Sequence, residues 1–209
     1  MAAPVARQRP LTVEEYLLLE ETASVRHEYV AGEVHALAGA SRRHNRIQLN
    51  IATRLIGAAR GGSCRIYVSE VKLRAASTIF YYPDVVVACG PPGAHSHIEE
   101  TACLVVEVLS PSTATTDRRE KALVYKGIAS LRAYLIVHQD THRVERHYRD
   151  EGGEWYYADS TAASGAVRVP VPCPEVVLTL GEIYEGAELE AGDARDERAD
   201  DERMDEERA

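Results

Sequence analysis

Two acidic side chains interrupt the most apolar stretches of this 209-residue chain. Asp84 stands in Tyr82-Pro83-Asp84-Val85-Val86-Val87, and Glu107 in Leu104-Val105-Val106-Glu107-Val108-Leu109. A lone carboxylate in a buried strand costs on the order of several kcal/mol unless it is paired, protonated or bound to a cation. Two adjacent strands that each carry one acid can meet that demand with one shared divalent metal. Carboxylates, a main-chain carbonyl and water are the donors magnesium prefers. An edge position or an ion pair with an arginine would also satisfy the acids, and Pro83 favours an edge or a strand start for Asp84. Sharing one cation requires carboxyl oxygens no more than about 8 Å apart, because each metal–oxygen bond is roughly 2.1 Å.

The elements that must hold these acids can be read from periodicity and caps. Leu11-Thr12-Val13-Glu14-Glu15-Tyr16 carries a capping box, Thr12 with Glu15, that opens a helix running to about Glu21. His27 to Leu37 reads as a hairpin turning at Ala31-Gly32. A second helix is expected after Ser41, ending near Gly61-Gly62, with Ile47, Ile51, Leu55 and Ala58 on one face. Arg42, Arg43 and Arg46 crowd its first turns. Cations there oppose the helix dipole, so a nearby anion would relieve them, although a solvated basic helix start is the simpler reading. Three strand regions follow: Cys64 to Arg74, Ile79 to Cys89, and Thr101 to Leu109, the last two separated by the loop GPPGAHSHIEE, whose His95 and His97 are expected in solvent. Asp117 and Glu120 suggest a second capping box for a helix closed by Gly127, followed by an apolar strand from Leu131 to His138. The order from residue 41 to 138 is helix, three strands, helix, strand. Arg143 to Tyr148 and Glu154 to Ala158 read as a surface strand pair, and a Pro-rich crossing and short turn run on to Glu185.

Length suits one domain plus tails: a flexible N-terminus over 1–10, a domain over 11–187, and an acidic tail over 188–209. The tail holds eleven acids and four arginines, a net of −7, which leaves −2 of the formal −9 to the body. With two leucine or methionine residues and no aromatic, the tail lacks the apolar surface to offset its ordering entropy. A nearly neutral body does not exclude a polyanionic substrate. No stretch has the roughly 18 apolar residues of a membrane span. The N-terminus lacks the apolar core of a secretory signal, so a cytoplasmic location is expected. Cys64, Cys89, Cys103 and Cys173 form no Cys-x-x-Cys pair and read as buried reduced thiols rather than zinc ligands or disulfides.

Pro83-Asp84 followed by Glu107-x-Leu109 resembles the PD-(D/E)XK nuclease superfamily, with leucine where its lysine stands. LTVEEYLLLE, HEYVAGEV, GASRRHNRI, YYPDVVV, LVVEVLSPST, DRREKALVYKGIASLRAYLIV and LGEIYEG, in that order over residues 11 to 186, resemble the Uma-two family, described as putative restriction endonucleases. The resemblance implies an α/β (α+β) fold with a restriction-endonuclease-like αβββαβ core around a mixed central sheet. It implies magnesium- or manganese-dependent hydrolysis of DNA phosphodiesters, with Asp84, Glu107 and the Val108 carbonyl as metal ligands. Leu109 cannot orient a water or stabilise an anion, and Lys121, in the following helix, is the natural replacement. Lys126 is the second choice. Glu33, Glu28 and His44 match family positions as auxiliary residues, though each also has an ordinary local role. Ser110 to Thr113 form the loop over the site. Cleavage of a duplex would suit a homodimer. The competing readings are a catalytically degenerate nuclease fold that binds nucleic acid or a protein partner, and a metal-dependent enzyme on another phosphoester. The second is weakened because the chain has no P-loop.

Overall fold

The computed structural model describes residues 9–109, 120–161 and 168–187. The first helix, α1 (Val13–Thr22), begins at the expected capping box: Thr12 accepts from the Glu15 amide while the Glu15 carboxylate accepts from the Thr12 amide. Strands β1 (His27–Val30) and β2 (Glu33–Ala36) form the hairpin, and Ala31 and Gly32 both take positive φ, 49° and 100°, as a two-residue primed turn demands. A side chain at position 32 would collide with Pro10, so glycine is required there twice over. The second helix, α2 (Arg42–Ala59), starts at Ser41, whose hydroxyl caps the His44 amide.

Strands β3 (Cys64–Val68), β4 (Lys72–Ala76), β5 (Ile79–Tyr81), β6 (Val85–Cys89), β7 (Ile98–Glu99) and β8 (Ala102–Leu109) follow. Then come α3 (Ala122–Lys126), β9 (Ala133–His138), β10 (Arg143–Arg149), β11 (Trp155–Thr161), β12 (Arg168–Pro172), β13 (Glu175–Thr179) and α4 (Leu180–Ile183). The main sheet is mixed, in the order β11-β10-β9-β8-β6-β3, and its single parallel pair is β8–β9, the two strands on either side of α3. A smaller sheet runs β2-β1-β5-β4-β7, and β12 pairs with β13.

Alternation along β8 sorts its side chains onto two faces. Leu104, Val106 and Val108 join Ile47, Ile51 and Leu55 of α2 and the β12–β13 hairpin in one core. Val105 and Leu109 face a second core with Val86, Tyr125, Tyr134 and, from the smaller sheet, Leu73 and Tyr81. Glu107 lies on this second face by parity. A third cluster, Tyr16, Tyr29 and Phe80, seats α1 on the smaller sheet.

Two expected strands are in fact broken and shared between sheets. The run Cys64–Arg74 divides at Ser69, which takes a positive φ of 51°, and Ile79–Cys89 divides at Pro83-Asp84. The first part of one run and the second part of the other, β3 and β6, pair in the main sheet, while β4 and β5 pair in the smaller one. Proline has no N–H to continue a ladder, so the break falls there. Asp84 therefore sits at the seam between sheets rather than inside a strand.

The cysteines also depart from expectation, since all four are in disulfides: Cys64 with Cys89, and Cys103 with Cys173. The β3–β6 register sets Cys64 directly opposite Cys89. The other bridge joins the start of β8 to the turn of the β12–β13 hairpin. Sequence separations of 25 and 70 residues hide both pairings from a linear reading. The proposed Asp117 cap and the loop from Ser110 to Thr113 lie outside the described residues.

Candidate active site

The bend at Pro83 turns the Asp84 carboxylate toward the end of β8. Its Oδ2 accepts the Val108 amide at 2.7 Å, and the Asp84 amide faces Glu107 Oε2 at 3.4 Å. The two acids thus meet across one peptide unit of adjacent strands. A strand residue points its N–H and C=O to the same side, so the Val108 carbonyl also faces the Asp84 edge.

The first turn of α2 closes the other side of Asp84. His44 Nε2 lies 2.8 Å from Asp84 Oδ1, and its buried Nδ1 has no hydrogen-bond partner among the described residues. One turn further, the Gln48 amide donates to the Asp84 carbonyl at 2.6 Å and to the Ser69 hydroxyl, pinning the breaks in both runs to the helix. Next to His44 in sequence, Arg43 carries two buried donors, Nε and Nη1, that have no partner among the described residues.

Lys121 stands at the head of α3 and is only 7% exposed. Its ammonium lies 3.2 Å from Glu107 Oε1 and 2.9 Å from Glu28 Oε1, over the face of Tyr81 at 5.1 Å. The Tyr125 hydroxyl, one turn on, donates to the same Glu107 oxygen at 2.8 Å. Burial, reinforced by Glu107, drives the Tyr125 phenol well above its ordinary pKa, so it remains a donor. Burial also pushes Tyr81 up to about 12, against the pull of Lys121. Leu109 is packed in the second core beside Ala122 and Tyr125, the surface through which α3 docks and presents Lys121. The leucine that empties the usual lysine position therefore helps seat the helix that brings another lysine in.

The structure brings Asp84, Glu107, Lys121, Glu28 and His44 into one connected group. It does not bring Glu33 there: that side chain is 79% exposed on the edge strand β2, 3.7 Å from His35. Lys126 lies over Trp155 instead, at 5.8 Å. His95 and His97 are exposed in their loop.

The sequence reading missed a second layer. Glu20, nearly fully buried, holds His27 Nδ1 at 2.8 Å and accepts the Tyr82 hydroxyl at 2.6 Å, with Lys72 at 3.9 Å. Burial lowers the Lys72 pKa, opposed by Glu20. Because the Tyr82 amide donates to Glu28 at 3.3 Å, this layer fixes the carboxylate that Lys121 binds. The available signal was Glu20 four residues after Tyr16, on the buried face of α1.

A mixed sheet with an acid on each of two neighbouring central segments and a parallel crossover helix behind them is a restriction-endonuclease-like arrangement. A crystal structure titled as a putative nuclease belonging to DUF820, from Anabaena variabilis, shares this fold. It matches with a TM-score of 0.72 over 86% of this chain and 100% of its own, at 16% identity.

The chain belongs to the Uma2 family, described as "Putative restriction endonuclease", whose model matches residues 13–181. Two curated relatives are uncharacterized proteins of Synechocystis sp. The protein slr1290 is 36% identical over 186 residues, 88% of this chain and 96% of its own length. The protein sll1609 is 34% identical over 155 residues, 72% of this chain and 88% of its own. Among the described residues, no helix is long and apolar enough to cross a membrane.

Proposed function

We propose that this protein is a divalent-metal-dependent DNA endonuclease whose catalytic domain spans residues 11–187. The observation that carries the reading is the convergence of Asp84, Glu107 and Lys121, side chains from three separate segments, on one seam. The donors suit a hard cation such as magnesium or manganese: two carboxylates and the Val108 carbonyl, all oxygen. Asp84, Glu107 and Val108 would hold the ion. When bound, it supplies Lewis acidity and positive charge against a phosphodiester.

The chain's own groups have separable tasks. Lys121 is held between two carboxylates, Glu28 and Glu107. There it can orient a water and stabilise the charge that grows on phosphate oxygens. Tyr125 and the Val108 amide fix the two carboxylates, and Glu28 fixes Lys121. His44 sets the rotamer of Asp84. Cutting both strands of a duplex takes two such sites, which a homodimer would supply.

The degenerate reading draws on Leu109 in the usual lysine position and on a body of net charge −2. Titration calorimetry with magnesium and manganese, paired with cleavage assays on single-stranded, double-stranded and branched DNA, separates the two. Active protein cuts at least one substrate, EDTA stops it, and Asp84→Asn loses both metal binding and cleavage. Metal binding without cleavage of any substrate establishes the degenerate reading. Unchanged metal binding in Asp84→Asn removes the proposed ligand set.

A further inference from the structure

All four cysteines of the chain meet at one end of the main sheet. Cys64 is on β3, Cys89 ends β6, Cys103 begins β8, and Cys173 lies in the β12–β13 turn. The two disulfides are in contact with each other: Cys89 Sγ is 3.3 Å from Cys103 Sγ. The sulfurs of Cys89, Cys103 and Cys173 all lie within 4.8 Å of one another, and Cys64 is bonded to the first of them. In a tetrahedral four-thiolate zinc site the sulfur–sulfur edge is roughly 3.8 Å, set by a zinc–sulfur bond of about 2.3 Å. The spacing between the bridges is therefore already near that of a shared metal. Cys103 is buried, while Cys64, Cys89 and Cys173 are half-buried, which leaves a path for an ion.

We infer that the reduced form of this cluster is a four-cysteine zinc site, so that the same sulfurs form two disulfides when oxidised and bind one metal when reduced. A dithiol reductant, two molecules per chain, supplies the four electrons and four protons that turn two disulfides into four thiols, and is itself oxidised to two disulfides. Zinc then takes four thiolate electron pairs as the thiol protons leave to solvent. Soft thiolates select zinc over the hard cations that suit Asp84 and Glu107, so the two sites need not compete. The location has a consequence for the acids. Cys89 ends β6, the strand after Asp84, and Cys103 lies near the start of β8, the strand that carries Glu107; the disulfides tie these strand ends to β3 and to the β12–β13 turn, whereas a shared zinc would tie them to each other.

The test uses the full chain, reduced under anaerobic conditions and titrated with cobalt(II), whose thiolate complexes absorb by charge transfer in the near ultraviolet. The expected result is one equivalent of cobalt with that band, displaced by zinc, and a higher thermal midpoint with zinc than without. The oxidised chain should show no band. Cys103→Ser and Cys173→Ser should each weaken it, the second being the safeguard should the buried position fail to fold. Asp84→Asn should keep the band, because carboxylate-bound cobalt gives none, so the result is independent of the nuclease reading. Absence of the band in the reduced chain, folded or not, overturns the inference, as does a band of undiminished intensity in both serine variants.

Discussion

At the scale of single residues, Lys121 is the most constrained group of the site. It is a buried cation serving two carboxylates at once, Glu28 and Glu107. Removing a buried partner leaves uncompensated charge and costs about 3–5 kcal/mol. Lys121→Met, close in shape, should therefore lower stability by that amount in urea unfolding. It should also abolish cleavage, since one lost transition-state contact of this kind is worth roughly a hundredfold or more in rate. Divalent binding should move the other way. An ammonium 3.2 Å from Glu107 competes with any second cation for that oxygen, so the variant should bind magnesium at least as tightly as the parent, and metal should restore part of the lost stability. Weaker metal binding in calorimetry, or full activity, would reject the assignment.

At the scale of elements, the site hangs on the start of α2. Ser41 caps the His44 amide at 3.0 Å and its hydroxyl also reaches Gln139 at 3.1 Å, tying the helix to the end of β9. Ser41→Ala should cost about 1 kcal/mol, the usual value of a lost N-cap, read from the denaturant midpoint. Because His44 and Gln48 hold Asp84 from this helix, cleavage should fall by a larger factor than stability alone explains. A variant as active as the parent would show that α2 does not position the carboxylate.

This cap was legible in the sequence, as were Thr12, the Ala31-Gly32 turn, and both acids, because each depends on neighbours a few residues away. Asp84 and Glu107 could be named because charges in apolar runs stand out, and Lys121 because the motifs resemble a known family in which Leu109 leaves the usual lysine position empty. The division of two runs between two sheets was not legible. It depends on a positive φ at Ser69 and on how β3 and β6 find each other across the break. Glu20, Tyr125 and the disulfides escaped for the same reason: their meaning lies in partners far along the chain.

At the scale of the molecule, the charge is unevenly divided along the chain. The described core ends at Ala187, which is buried and donates its amide to the Tyr184 carbonyl at 3.0 Å. The following 22 residues carry −7 of the net −9, with only Leu189 and Met204 as large apolar side chains. A chain ending at Ala187 keeps every buried contact described above, so its thermal midpoint should stay within about 3 °C, the shift that roughly 1 kcal/mol produces at this size. Its behaviour toward DNA should change more. Losing seven negative charges removes a long-range repulsion from the phosphate backbone, so the shortened chain should bind DNA faster and more tightly at low salt. The difference should shrink as ionic strength rises and the Debye length falls to about 10 Å at 0.1 M salt. Binding curves at several salt concentrations test this directly. A large drop in midpoint would mean that the acidic segment packs on the body, and an advantage that persists at high salt would mean that it acts by contact rather than by charge.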